Sequence, residues 1–330
     1  ASATPASTCA TEGQGTGTKR AGTRDSEFPL PCLVKAFYSD HFVLPLPDGH
    51  KFPMAKYARL RERILAEGII APEQLHEAPA ADWDDLRLVH DPGYVDAVAN
   101  GTVPPDIQRR IGFPWSPQMV ERTRRSVGAT IAAAQAALDD GAAANLAGGT
   151  HHAFADRGEG FCVFNDVAVA SRVLQRDDHA RRIAIVDLDV HQGNGTAAIF
   201  AGDPSVFTFS MHGAQNFPFR KEVSDLDVPL ADGTGDAEYL ELLQTHLSTV
   251  LNSHQPDFVF YLAGADPYEG DRLGRLKLTI DGLRRRDRLV MGACRAAGLP
   301  LAISMSGGYA HDIDAIVTIH ANTIRTAAHT

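Results

Sequence analysis

The stretch Ile183-Ala-Ile-Val-Asp187-Leu-Asp189-Val-His191-Gln-Gly-Asn194-Gly-Thr196 sets two carboxylates and an imidazole at every second position behind a β-branched apolar run. In an extended chain that alternation puts Asp187, Asp189 and His191 on one face and Leu188 and Val190 on the other. The preceding run reads as a strand buried on both faces, and such strands present chemistry at their C-terminal ends. Three ionisable groups buried together need a cation or hydrogen bonds to compensate them. The plainer alternative is the polar face of an edge strand closed by a turn. Three further segments end in the same way: Gly148-Gly149-Thr-His151-His152-Ala, Gly264-Ala-Asp266 and Ser306-Gly-Gly-Tyr309. Polar residues at four strand ends are harder to explain as core packing than any one motif alone. Two carboxylates and one imidazole with an open position suit a hard-to-borderline divalent cation. With no cysteine among them, a hydrolytic zinc fits better than a structural one.

The elements that must position these groups follow from periodicity. Strands are expected over 32–38, 86–90, 142–146, 206–211, 257–264 and 301–305, besides the central one. Helices are expected over 54–67, ending at Gly68, over 94–99 after Asp91-Pro-Gly, and over 118–138. Another is capped by Asn165 or Asp166 and runs to about 174; others cover 238–253 and 281–297, and the last starts near 311. Residues 104–117, rich in Pro, Gly and aromatics, read as a surface loop. The alternating β/α order without a composition break predicts an α/β chain with one mostly parallel β-sheet flanked by helices on both faces. It assigns residues 29–330 to a single catalytic domain. Residues 1–28, poor in large apolar side chains, are expected to form a disordered tail. His41 and His50 sit in loops, where solvation is the simplest role.

The chain has 330 residues, 44% of them hydrophobic, enough for one large α/β domain. No stretch approaches the roughly 18 continuous apolar residues of a membrane span. The net charge of −10 is spread along the chain, which argues against direct nucleic-acid binding and suits solubility. Cys9, Cys32, Cys162 and Cys294 form no C-x-x-C pair, so they read as reduced thiols of a cytoplasmic protein. No secretory signal is evident at the N-terminus.

These blocks, together with Gly160-Phe-Cys-Val-Phe-Asn-Asp166 and Gly270-Asp-Arg-Leu-Gly274, resemble the signature blocks of the histone deacetylase family, in family order, over roughly residues 32–325. His191-Gln-Gly-Asn-Gly and Ser306-Gly-Gly-Tyr309 resemble the class IV branch and its bacterial relatives more than class I. The resemblance implies the arginase/deacetylase fold and a zinc-dependent amidohydrolase that removes acetyl or longer acyl groups from lysine in proteins or peptides. It assigns one Zn2+ per chain to Asp189, His191 and Asp266, and makes His152 the general base and acid with His151 cationic beside it. Asp187 would pair with His151, Asn194 with His152, and Tyr309 would donate to the oxyanion. Gly160 would offer its carbonyl to the substrate amide, Phe161 and Phe217 would form channel walls, and Leu273 would occupy the gatekeeper position that polyamine deacetylases fill with Glu. A structural K+ would sit among Asp187, Asp189, His191, Ser210 and Met211. Where many members place a carboxylate behind the second histidine, this chain has the neutral acceptor Asn194.

Three other readings compete. A deacylase of small acyl-amines such as acetylpolyamines would use the same chemistry with a different mouth. A dinuclear manganese ureohydrolase would need further carboxylates at these strand ends. A catalytically inactive acyl-lysine binding module would be marked by loss of a metal ligand or of the tyrosine, and all are present.

Overall fold

Apolar residues on both sides of the pleat build a sheet with no wet face. In the computed structural model, which describes residues 34–47 and 49–329, the strands are β1 Lys35–Tyr38, β2 Leu75–Glu77, β3 Ala142–Asn145, β4 Ile183–Asp187, β5 Val206–Gly213, β6 Leu226–Leu230, β7 Phe258–Leu262 and β8 Leu301–Ser304. They pair in parallel in the order β2-β1-β3-β8-β7-β4-β5-β6. The expectation of a mostly parallel sheet is therefore met, and the paired strands of the described residues are parallel throughout. The tail expected over 1–28, Cys9 and Cys32 lie outside those residues.

The helices are α1 Ala55–Ala66, α2 Trp83–Leu86, α3 Pro92–Asn100, α4 Pro105–Ile111, α5 Pro117–Asp140, α6 Asp166–Arg176, α7 Asn194–Ile199, α8 Asp236–His254, α9 Ile280–Ala296 and α10 Ile313–His329. Ala184, Val186, Val259 and Tyr261 point to one face, where α1, α8, α9 and α10 cover them. Ile183, Ile185, Phe258 and Phe260 point to the other, under α3, α5 and α6. Each large side chain sealed in this way contributes roughly 1.5–3 kcal/mol, and Ile185→Ala would cost about 2–5 kcal/mol through the cavity it leaves. The one hydroxyl of that central row, on Tyr261, donates to Asp287 Oδ1 at 2.6 Å, which removes the penalty for burying it. Asn165, not Asp166, caps α6, accepting from Ala168 N at 3.1 Å. No helix among the described residues is long and apolar enough to cross a membrane.

Several expectations are corrected. Residues 86–90 are not a strand: α2 ends at Leu86 and turns follow, with Val89 N and His90 N both bonded to Leu86 O. The period-two apolar pattern there has no sheet edge to join. The loop expected over 104–117 contains α4, started by Pro105 at a position where the missing N–H costs nothing. Strand β4 stops at Asp187, so Asp189 and His191 are not on it, and the chain re-enters a helix at α7, which periodicity did not reveal.

Candidate active site

The C-terminal ends of β3, β4, β7 and β8 meet at one place, as parallel packing requires. Past Asp187 the chain leaves the ladder because side chains take over its backbone bonds. Asp187 Oδ1 accepts Asp189 N at 3.1 Å and Asp189 Oδ1 accepts His191 N at 2.9 Å, the local turn chemistry of aspartate. These turns, rather than the pleat, aim Asp189 and His191 inward. Asp266 arrives from the end of β7.

The ligand atoms of Asp189, His191 and Asp266 lie within 4.8 Å of one another, and all three residues are buried. His191 Nδ1 is 2.9 Å from Asp189 Oδ1 and 3.1 Å from Asp266 Oδ2. Each carboxylate has its other oxygen fixed by the protein. Asp189 Oδ2 accepts Ser306 Oγ at 2.7 Å and Gly307 N at 2.8 Å, and Asp266 Oδ1 accepts Val190 N at 2.9 Å. Asp266 Oδ2 is buried with no neighbour to bond but the His191 ring 3.1 Å away, and Gly307 leaves the space beside it that a Cβ would fill. Burial, with Asp189 beside it, pushes Asp266 up to about 7. Burial would lower His191, but its hydrogen bonds to Asp189 and Asp266 overcome that and hold it at about 10. Two buried carboxylates and an imidazole around one gap, with no other group to bond the inner Asp266 oxygen, are what a divalent cation takes up, so this donor set fits zinc. Behind it, buried Arg286 donates to Gly264 O at 2.6 Å and Leu188 O at 3.4 Å, pinning the backbone beside both acids.

The two adjacent histidines have opposite electrostatics. His151 Nδ1 lies 2.6 Å from Asp187 Oδ2; burial lowers its pKa, but Asp187 and then Asp189 outweigh burial and raise it to about 9. His152 Nδ1 meets only the amide of Asn194, 2.7 Å from Oδ1; burial, then the positive His151 and His191, hold it well below its ordinary value. One imidazole is cationic and its neighbour neutral, the separation an acid–base site requires. The loop carrying both is tied down by Asp166, whose carboxylate accepts Gly149 N at 2.9 Å, Thr150 N at 2.7 Å, Thr150 Oγ1 at 2.8 Å and Thr130 Oγ1 at 2.6 Å.

Tyr309 is buried opposite, its ring centroid 6.2 Å from that of His191. Burial, then Asp189 and Asp266, push its phenol well above the usual range, so it stays a proton donor. Its backbone is held by Asp271, which accepts Tyr309 N at 2.6 Å, and by Arg272, which donates to Tyr309 O at 2.6 Å. Gly160 packs on the ring of His152, where a Cβ would clash, at φ +58°. Phe161 stacks with Phe52, Phe113 and Tyr309. Phe217 meets His152 edge-on at 4.9 Å, and Leu273 lines the same mouth, a cavity of ≈ 340 Å³. His50 belongs to this wall, bonded to Gly112 O at 2.9 Å with its ring 5.7 Å from Phe161, whereas His41 is exposed. Asp187 and Ser210 face each other across β4 and β5, but Ser210 Oγ contacts His212 Nδ1 at 3.0 Å. Sequence reasoning assigned no role to Asp271, Arg272, Arg286 or Glu159. The block Gly270-Asp-Arg-Leu-Gly274 was the one available signal, for the first two.

Residues 50–324 match the histone deacetylase domain. An uncharacterized protein of Picosynechococcus sp. is 51% identical over 290 residues, 88% of this chain and 97% of its own length. Histone deacetylase 2 of Arabidopsis thaliana is 32% identical over 295 residues, 86% of this chain and 76% of its own. Among solved structures, an HDAC homolog complexed with SAHA superposes with a TM-score of 0.77 at 25% identity, over 88% of this chain and 84% of the other.

Proposed function

The chain belongs to the histone deacetylase family, and from that premise we propose that it removes acetyl or longer acyl groups from the ε-amine of lysine in proteins or peptides. It is a hydrolase of the deacetylase type. The observation that carries the reading is the pair of histidines with unlike partners, His151 on the Asp187 carboxylate and His152 on the neutral amide of Asn194, with the Asp189, His191 and Asp266 cluster adjacent. One Zn2+ per chain, held by those three residues, would supply Lewis-acid polarisation of the acyl carbonyl and a more acidic water. His152 takes the proton from the attacking water and returns it to the leaving amine. His151, fixed by Asp187, holds positive charge beside the developing negative charge. Tyr309 donates its hydroxyl hydrogen to the oxyanion, where a preorganised donor is strongest. Gly160 offers its carbonyl to the substrate N–H, and Phe161 and Phe217 exclude water from the lysine stem.

Acyl-lysine is favoured over acetylpolyamines by the mouth. Leu273 lines it with Arg110 and Arg275, and no carboxylate is among its described lining residues. A second ammonium would find no countercharge among those residues and two arginines beside it, whereas a lysine stem packs on leucine and phenylalanine. The Asn194 partner of His152 supports kinship with the class IV branch. A structural K+ near Asp187 and Ser210, one catalytic domain over 29–330 and a reducing, cytoplasmic setting complete the reading. The last is supported by the free, buried thiols of Cys162 and Cys294. The test is a comparison of kcat/KM for lysine peptides of increasing acyl length with N-acetylspermidine and N-acetylputrescine at equal pH and salt. Higher values for the peptides are expected; a preference for either polyamine would overturn the substrate assignment and leave the amide hydrolysis standing.

A further inference from the structure

The Asn194 amide that faces His152 is itself anchored at its other end. Its Nδ2 donates to Glu159 Oε1 at 2.7 Å, while its Oδ1 lies 2.7 Å from His152 Nδ1. A carboxylate has acceptors only. Contact with Glu159 therefore compels the amide to turn its NH2 outward and its oxygen toward the histidine. An oxygen there can only accept, so His152 Nδ1 must carry the ring hydrogen, and Nε2 keeps the lone pair that a general base needs. An amide without that anchor can rotate end for end and donate to Nδ1, which moves the hydrogen to Nε2 and removes the base. Asn194 and His152 are 2% and 4% exposed, which leaves little water to settle the choice instead.

We propose that Glu159 is a positioning residue that, through Asn194, selects the base-competent tautomer of His152. The proposal rests on the deacylase reading only for the role of His152; the tautomer itself is a property of the resting protein. Glu159 is well placed to act this way because the backbone at and directly after it is held by three hydrogen bonds. Cys162 N donates to Glu159 O at 2.9 Å, Gly160 N to Arg110 O at 2.9 Å, and Phe161 N to Ile111 O at 2.8 Å. The end of α4 and the catalytic histidine are thereby linked through one tight turn. Glu159 is half-buried and makes none of the hydrogen bonds that hold Asp189, His191 and Asp266, so its substitution leaves the cluster's own bonds in place.

The test is a cycle of Glu159→Ala, Asn194→Asp and the double variant, with Glu159→Gln alongside, all in the zinc-loaded protein. Three quantities are read: kcat and KM on an acetyl-lysine peptide, zinc content, and the imidazole 15N resonances of His152 at neutral pH. In Glu159→Ala, kcat should fall about tenfold or more with KM and zinc unchanged, and a signal from the Nε2–H tautomer should appear. Glu159→Gln should fall between, since its own amide oxygen accepts from Asn194 in only one of two orientations. In the Glu159→Ala background, Asn194→Asp places an acceptor-only group directly on His152, so the hydrogen stays on Nδ1 without the anchor, whereas with Glu159 intact it sets two carboxylates against each other. The double variant should therefore recover kcat to within about threefold of wild type, a rescue that a merely structural role would not produce. Glu159→Ala with wild-type kcat and a pure Nδ1–H spectrum would overturn the proposal, as would a double variant as impaired as Glu159→Ala alone. If the wild-type protein hydrolysed no acyl-lysine, the deacylase reading would fall and the 15N spectra of the same variants would still decide the tautomer.

Discussion

Replacing Asp166 by alanine should damage both stability and catalysis, because one buried carboxylate organises the loop that carries both histidines. Its oxygens accept two backbone N–H groups, from Gly149 and Thr150, and two hydroxyls, from Thr150 and Thr130, at 2.6–2.9 Å. Alanine leaves all four donors facing an apolar methyl. The hydroxyls can rotate to other acceptors, but the two N–H groups cannot, and each unsatisfied buried donor costs about 1–3 kcal/mol. The loss should therefore be about 2–6 kcal/mol, a large share of the roughly 5–15 kcal/mol that holds a domain together. Since His151 follows Thr150 directly, the molecules that remain folded should also lose about tenfold or more in kcat. Urea unfolding of wild type and variant, compared at constant m, gives the first quantity, and turnover under folding conditions gives the second. A loss below about 1 kcal/mol would refute the reasoning and mean that water or Ser304 replaces the carboxylate.

Asp266→Ala should cut zinc occupancy sharply, since it removes one of the three clustered ligand groups; metal analysis of purified protein checks this, and stoichiometric zinc would contradict it. Tyr309→Phe should lower kcat by on the order of a hundredfold while zinc stays bound, and a steady-state change below about threefold would move the oxyanion donor elsewhere. His90 concerns pH. Its Nε2 accepts Asn165 N at 2.9 Å, and burial pulls its pKa down from 6.5 to about 4. The unfolded chain therefore binds the proton first, so stability is fully present above pH 6.5 and is lost as pH falls toward 4. Wild type should lose roughly 3 kcal/mol more over that interval than His90→Gln, measured by unfolding at each pH, and equal losses would refute the assignment.

The sheet was legible in residues 183–186 and 258–262 because strands buried on both faces leave an unbroken apolar record. The helices were legible through their caps and glycine stops, as at Asp91 and Gly68. Edge strands β2 and β6 are short and partly polar, and so carry no such record. Residues 86–90 misled because Leu86 and Leu88 alternate like a strand, yet Leu88 is exposed and the backbone closes its bonds locally. Asp189 and His191 do point with Asp187 into one space, but through aspartate turns rather than the pleat. The groups brought together around that space carry a strong signal in their types and spacing. Their supports do not: Asp166, Glu159 and Arg286 act across 16 to 98 positions of sequence, and long-range hydrogen bonds leave no periodic trace in one chain.

The most direct measurement is a zinc titration of metal-free protein, following hydrolysis of an acetyl-lysine peptide. The donor set of Asp189, His191 and Asp266 predicts no turnover without metal and a rise that saturates at one equivalent of zinc per chain. Turnover in the metal-free protein, or saturation only at two equivalents, would contradict the single-zinc deacylase.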